Sequence, residues 1–277
     1  MKIETTIKDL IRNNGPISIS RYMEICLWDN ENGYYTSNEV FGGKGDFITS
    51  PEVSQTFGEL IGLWAFSFYQ KFISRNRLCI TELGSGRGTL LKDAIRAIYT
   101  VTNKQIDLDI TILEKSQRLV TLQKENLRNN NVRWISDIKK LSSEPQIIIA
   151  NEFFDALPIK QFFKINNKWI ERYVKSDKKN NKSFVNIDID IKKIEKKLGF
   201  KISSNQKVVE YSPVALEYLK SISKKINNKK GALLIIDYGY LEDSMKDTLM
   251  AIRKHTLISI FKEFKNFFQY FINCCFY

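Results

Sequence analysis

Two stretches of this chain carry residues whose types and spacing could do chemistry. The first is Glu82-Leu83-Gly84-Ser85-Gly86-Arg87-Gly88-Thr89. It follows the apolar run Leu78-Cys79-Ile80 and precedes a helical pattern through Leu90, Leu91, Ala94, Ile95 and Ile98. Such a stretch reads as a buried strand, a tight turn and a helix N-terminus. Glycine at every second position bends the backbone and lets a ligand approach without meeting a Cβ. The unpaired N–H groups of the first helical turn lie just behind it. Arg87 alone separates Gly86 from Gly88, so the dinucleotide fingerprint G-x-G-x-x-G is not matched, and no lysine precedes Thr89 as it would in a P-loop. An acid ahead of the first glycine suits a cofactor with a cationic amino-acid end rather than a pyrophosphate. S-adenosylmethionine is such a cofactor. A glycine-rich turn without a ligand is the competing reading.

The second stretch is Asn151-Glu152-Phe153-Phe154-Asp155-Ala156-Leu157-Pro158, directly after the apolar run Gln146-Ile147-Ile148-Ile149-Ala150. Asn151 offers a carbonyl acceptor for an N–H of a target nitrogen. Glu152 and Asp155 offer two carboxylates for a cation, and Phe153 and Phe154 offer walls for a flat cationic group. A buried cap for the next element is the alternative. Between the two stretches, the alternating run Ile106 to Leu113 ends at Glu114, and the short run Val132 to Ile135 is followed by Asp137. Glu114 can accept both hydroxyls of a ribose. Asp137 can accept from an adenine amino group or stand as a solvated loop acid, and Glu82 can hold an ammonium directly or organise its own turn.

The elements that must position these groups alternate strand with helix, which implies a parallel α/β sheet. Ligands of such sheets sit beyond the carboxyl ends of the strands, where Glu82, Glu114, Asp137 and Asn151-Glu152 all fall. Upstream, helical spacing covers Ile3 to Ile11, Asn13-Asn14-Gly15-Pro16 stops it, and Ser18 or Ser20 can cap a second helix. Ser50-Pro51 opens one long helix through Val53, Phe57, Leu60, Ile61, Trp64, Phe68 and Phe72, a stripe that reads as core. The glycine-rich segment Phe41 to Glu52 ahead of it carries apolar residues that want burial. It reads as an ordered loop over a site, with Asp46 and Thr49 as polar contacts, or as a structural loop anchored by aromatics. Downstream, Ile159 to Val174 reads as a hairpin turning at Asn166-Asn167, Lys175 to Lys182 as a polar excursion, and Ala232 to Ile236 as another buried strand.

Composition closes several doors. At 277 residues the chain can bury a large core, and no run is long and apolar enough to span a membrane, so membrane insertion is not expected. His255 is the only histidine, which argues against a histidine metal site or triad, and no metal is expected. Cys26 and Cys79 lie in apolar patterns as buried thiols, and adjacent Cys274 and Cys275 do not suggest a disulfide framework. The net charge of +12 comes largely from lysines between Lys175 and Lys230, interleaved with Asn, Ile and Ser; solvated lysine faces explain it better than a nucleic-acid groove. Acids early in the chain and no apolar signal core point to a cytoplasmic protein, here a bacterial one.

Taken together, these residues resemble the MidA-like family of S-adenosylmethionine-dependent methyltransferases, which includes the mitochondrial arginine methyltransferase that assists respiratory complex I assembly. The matching pieces are Gly33-Tyr34-Tyr35, Gly45-Asp46-Phe47-Ile48-Thr49-Ser50-Pro51-Glu52, Phe57-Gly58-Glu59-Leu60, Glu82 to Leu90, Asn151 to Pro158 and Ile236-Asp237-Tyr238-Gly239. The resemblance implies a Rossmann-like class I methyltransferase sheet with a helical N-terminal extension and a β-hairpin insertion. We divide the chain accordingly into a helical N-terminal region with a substrate and cofactor loop (1–74), a methyltransferase domain (75–255) and an atypical tail (256–277). The resemblance also implies S-adenosyl-L-methionine as cofactor, held by Asp46, Phe47, Glu82, Gly84, Gly86, Gly88, Glu114 and Asp137. Asn151, Glu152 and Asp155 would be the catalytic residues. The partner would be a protein arginine on a complex I subunit, with a homodimer open to the chain. A non-catalytic assembly factor that keeps the fold is the second reading. The aromatic tail departs from the family: it reads as a truncated end lacking the last strands of the sheet, or as a substitute helix using Leu257, Ile260, Phe261, Phe264, Phe267 and Phe268.

Overall fold

The structure, a computed structural model, describes residues 2–29, 31–37, 49–74, 77–239, 245–253, 256–258, 260–261 and 271–273. In chain order the elements are α1 (Lys2–Asn14), β1 (Ile17–Ser18), α2 (Ile19–Trp28), α3 (Tyr34–Ser37), α4 (Ser50–Val53), α5 (Gln55–Phe68), β2 (Arg77–Leu83), α6 (Thr89–Val101), β3 (Asp107–Leu113) and α7 (Gln117–Asn126). There follow β4 (Val132–Ile135), β5 (Gln146–Asn151), β6 (Lys160–Ile165), β7 (Lys168–Ser176), β8 (Lys182–Asp188), α8 (Ile191–Leu198), β9 (Val208–Tyr211), α9 (Pro213–Lys229), β10 (Ala232–Ile236), β11 (Met250–Arg253), β12 (Thr256–Ile258) and β13 (Phe271–Asn273). They form two compact units that interleave along the chain: Glu39–Phe154 with Leu216–Asp237, and Met1–Asn38 with Asp155–Ala215 and Tyr238–Tyr277.

The first of these units is built on a parallel sheet in the order β10-β5-β2-β3-β4. The mixed α/β reading therefore holds. The strand order reverses between β2 and β5, which is where an open sheet of this kind leaves a crevice at its carboxyl edge. Ile80, Ile110, Ile112, Ile147 and Ile149 of the sheet pack with Leu90, Leu91, Ile95 and Ile98 of α6 in one core.

Helix α5 lies against α6 so closely that an added Cβ on Gly62 would sit 2.6 Å from the Ala94 Cα. Only glycine permits that approach. This corrects the long core helix read from the sequence. Ser54, with φ −144° and ψ 122°, separates α4 from α5, and Tyr69–Ile73 form a π-helical turn. The buried face of α5 is Gly58, Ile61, Gly62 and Ala65, whereas Val53 (72%) and Leu60 (61%) of the apolar stripe are exposed, as are Trp64 and Phe72. A second correction concerns β10. Among the described residues it pairs with β5 alone, so it is a half-exposed edge rather than a buried strand, with Ile235 exposed.

The other unit is antiparallel. β6 and β7 make the expected hairpin, with Asn166 and Asn167 at φ 47° and 62°, the left-handed pair a tight hairpin turn needs. The polar excursion at Lys175 is a further hairpin limb: β8 pairs with β7 from Ser176↔Lys182 to Ile170↔Asp188. β9 extends the sheet beside β6, and β1 pairs with β7. Phe162, Ile194 and Val209 form the core of this insertion, with Trp169, Leu198 and Tyr211 packed on it. Helix α1 buries Ile3, Ile7 and Ile11, and Ser18 caps α2 by accepting from the Arg21 N–H.

In the same unit β11 pairs with β12 and β13 in a small antiparallel sheet. Leu257 is thus in a strand, and Ile260 and Phe261 lie in a turn rather than a tail helix. Phe264, Phe267, Phe268, Cys274, Cys275 and His255 lie outside the described residues.

Candidate active site

The turn after β2 owes its shape to three left-handed glycines, with φ 64° at Gly84, 53° at Gly86 and 83° at Gly88. Gly84 N–H donates to the Leu113 carbonyl at the end of β3, and Gly88 N–H donates to Ser85 O. Gly88 is the N-cap residue of α6. Glycine at Gly84 serves the protein itself: an added Cβ would lie 2.7 Å from Cδ2 of Phe153. The Phe153 ring therefore rests on the glycine turn and stacks on Tyr218 at 5.8 Å. One aromatic joins the two stretches that the sequence singled out.

Glu82, the second-last residue of β2, is buried, and its carboxylate accepts from the Ser85 hydroxyl. Burial pushes its pKa up to about 7; the Ser85 hydroxyl opposes the rise and the nearby Glu114 charge adds to it. Glu114, one residue past β3, is equally buried and far better partnered. Its Oε1 accepts from the Lys115 and Ser116 N–H groups at 2.8 and 2.9 Å, and its Oε2 accepts from Gln123 Nε2 at 3.2 Å. Burial raises its pKa, against the pull of those donors. Asp137 caps a 3-10 turn by accepting from the Lys139 N–H and is exposed. Asp46 and Phe47 lie outside the described residues.

On the strand next to β2, Asn151 closes β5. It is buried, and its Oδ1 has no hydrogen-bond partner among the described residues. An unpaired buried acceptor is costly and is a reasonable place for a ligand donor. Glu152 follows in the left-handed region at φ 48°, held by its N–H to the Ile236 carbonyl at 2.8 Å. A non-glycine residue in that region stores strain of a kind found at functional sites. Asp155 is buried and belongs to the other unit.

Several residues at this edge went unread in the sequence. Glu52 of α4 accepts from Thr89 Oγ1 at 2.6 Å and pairs with Arg87 at 3.4 Å, clasping the N-terminus of α6. Asn126 Nδ2 donates to the Arg87 carbonyl. Gln123 sits four residues from both Leu119 and Leu127 on the buried side of α7; a glutamine on an apolar stripe was the available signal.

Three left-handed glycines, two buried carboxylates at adjacent strand ends and an unpaired amide oxygen on the next strand fit a nucleoside carrying a cationic amino-acid tail. Among the described residues no group of three or more His, Cys, Asp or Glu could hold a metal ion, and no helix is long and apolar enough to cross a membrane.

Known proteins resemble this chain in fold and in sequence. A Burkholderia thailandensis protein solved with S-adenosyl-homocysteine bound superposes with a TM-score of 0.82 at 21% identity, over 99% of this chain and 73% of that one. In sequence, the protein arginine methyltransferase NDUFAF7 of Xenopus laevis is 32% identical over 285 residues, covering 89% of this chain and 62% of the relative. The human protein of the same name is 31% identical, covering 89% of this chain and 61% of its own. The chain thus spans somewhat less than two thirds of the length of these relatives. Residues 60–267 match the S-adenosyl-L-methionine-dependent methyltransferase family, and the chain belongs to it.

Proposed function

We propose that this chain binds S-adenosyl-L-methionine and methylates arginine side chains of a protein substrate. The target that the motif resemblance implies is a subunit of respiratory complex I. The relatives named protein arginine methyltransferase support the acceptor class. The observation that carries the reading is the buried Asn151 Oδ1, without a hydrogen-bond partner among the described residues, at the end of β5 beside β2 and its glycine turn.

S-adenosylmethionine, when bound, would supply a methyl group activated for attack by nitrogen, with a neutral thioether as the leaving group. Glu82 faces the ammonium of the amino-acid tail, and Glu114 accepts the ribose hydroxyls. Asn151 Oδ1 accepts an N–H of the attacking nitrogen and so aims its lone pair. Glu152 keeps the guanidinium charge on the nitrogen that does not attack. The proton of the newly methylated nitrogen leaves to water. Holding the two reactants close and aligned is the main source of rate.

Cytoplasmic action fits the buried free thiols of Cys26 and Cys79, since a reducing compartment keeps such groups unpaired. The homodimer belongs to the same reading and is tested by light scattering.

Glu152→Gln tests the catalytic assignment. Turnover with labelled cofactor and arginine-containing protein extract should fall about 100-fold, a reduction within the range of lost electrostatic stabilisation, while calorimetric binding of S-adenosylhomocysteine stays within about threefold. Unchanged turnover would remove Glu152 from the mechanism. A chain that binds no cofactor would favour the non-catalytic reading instead.

A further inference from the structure

Gln123 is fully buried on α7, where a carboxamide is costly unless each of its atoms is bonded. Its Nε2 donates to the Gly86 carbonyl at 2.9 Å and to Glu114 Oε2 at 3.2 Å. Its Oε1 accepts from Trp134 Nε1–H at 2.9 Å. An indole nitrogen only donates, so the amide has one orientation: oxygen towards Trp134, nitrogen towards the other two. Its Cγ also lies 3.7 Å from where a Cβ on Gly88 would be. One side chain thus touches the glycine turn after β2, the carboxylate after β3 and a ring of β4. The other oxygen of Glu114 is already fixed by the Lys115 and Ser116 N–H groups.

We propose that Gln123 is a positioning residue for the cofactor: one carboxamide sets the direction of the Glu114 carboxylate and its spacing from the glycine turn. This rests on the reading that these two features hold the nucleoside. Gln123 itself does not touch the ligand. It acts by removing the freedom of two groups that do, so that ordering them is not charged to binding.

The test is calorimetric binding of S-adenosylhomocysteine to the full chain and two variants, from pH 5.5 to 8. Gln123→Glu keeps the shape but turns an acceptor towards Gly86 O and Glu114. At pH 8 its affinity should fall at least about tenfold relative to wild type. That ratio should shrink as the pH falls and the new acid regains a proton to donate. Gln123→Met keeps the volume and loses the donors; it should bind about fivefold more weakly at every pH. Wild-type affinity for Gln123→Glu at pH 8, or a ratio that does not move with pH, overturns the proposal. If Gln123→Glu does not fold, Gln123→Met decides: weaker binding supports the role and wild-type affinity ends it. Failure of the wild type to bind overturns the functional reading and this proposal together, whereas wild-type binding with unaffected variants overturns this proposal alone.

Discussion

The ends of β2 and β3 each present one buried carboxylate, yet they hold it in opposite ways. Glu82 has a hydroxyl, that of Ser85, as its hydrogen-bond partner, whereas Glu114 collects two backbone N–H groups and an amide. Donors stabilise the charged form and burial opposes it. Glu114 therefore has its direction dictated by its own turn and by Gln123. Glu82 sits in a desolvated place with its pKa near 7, half-charged until a cation arrives. The comparison separates a group that positions from a group that responds.

The sharpest way to break the comparison is to disturb the turn that holds Glu82. Gly84→Ala forces a side chain into φ 64° and to within 2.7 Å of Phe153. Together these should cost about 2–4 kcal/mol of stability in urea unfolding. Phe153→Leu added to Gly84→Ala should recover part of the loss. A Gly84→Ala chain as stable as wild type would mean that the Phe153 contact does not shape the turn.

The next test is pH. A cationic ligand beside Glu82 favours its charged form, so binding releases a proton below pH 7. Affinity for S-adenosylmethionine should rise about tenfold per unit as pH climbs towards 7 and level off above it. The sign for the ligand-free fold is the reverse. The unfolded chain ionises Glu82 near 4.5 and the folded chain near 7, so this group's contribution to stability falls as pH rises between those values. Glu82→Gln should flatten both curves. Curves that keep their slope in Glu82→Gln would assign the response to another group.

The smallest effect belongs to the β3 side. Trp134→Phe leaves Gln123 Oε1 without its donor and should cost about 1 kcal/mol in unfolding, because the remaining bonds of the network stay in place. A loss several times larger would make the Trp134 contact a keystone and blur the distinction between the two ends.

Periodicity made the parallel sheet legible. Ile106 to Leu113 and Gln146 to Ala150 are apolar runs with acids or amides at their carboxyl ends, and those ends carry the candidate site residues Glu114, Asn151 and Glu152. The α5 stripe was misread for a physical reason. Gly58 and Gly62 look like weak points in a helix, yet they are the packing face, because α6 comes too close for any side chain. Val53, Leu60, Trp64 and Phe72 of that stripe face outward, while Ile61 is buried and Phe57 and Phe68 pack on the core. β8 was hidden by composition: Lys182 opens it with its side chain fully buried and its Nζ 3.8 Å from Glu4, a placement no lysine-rich sequence advertises. Gln123 was missed because hydrogen bonds between elements distant in sequence leave no local pattern.

The pairing of β1 with β7 has a consequence for how the chain is made. Ile17 lies opposite Val174, so a ribosome that has just added Ile17 must add 157 further residues (174 − 17) before its strand partner is made. At ordinary synthesis rates that interval is roughly 8–30 s. Throughout it the apolar faces of α1 and α2, with Ile7, Tyr22, Met23 and Leu27, lack the strand they will pack on. The β2 to β5 part of the parallel sheet, whose strands follow one another in the chain, can pair first, with β10 added later. The nascent amino-terminal segment is thus a natural client for a chaperone, and slowing translation before Lys168 should lengthen its exposure to proteases.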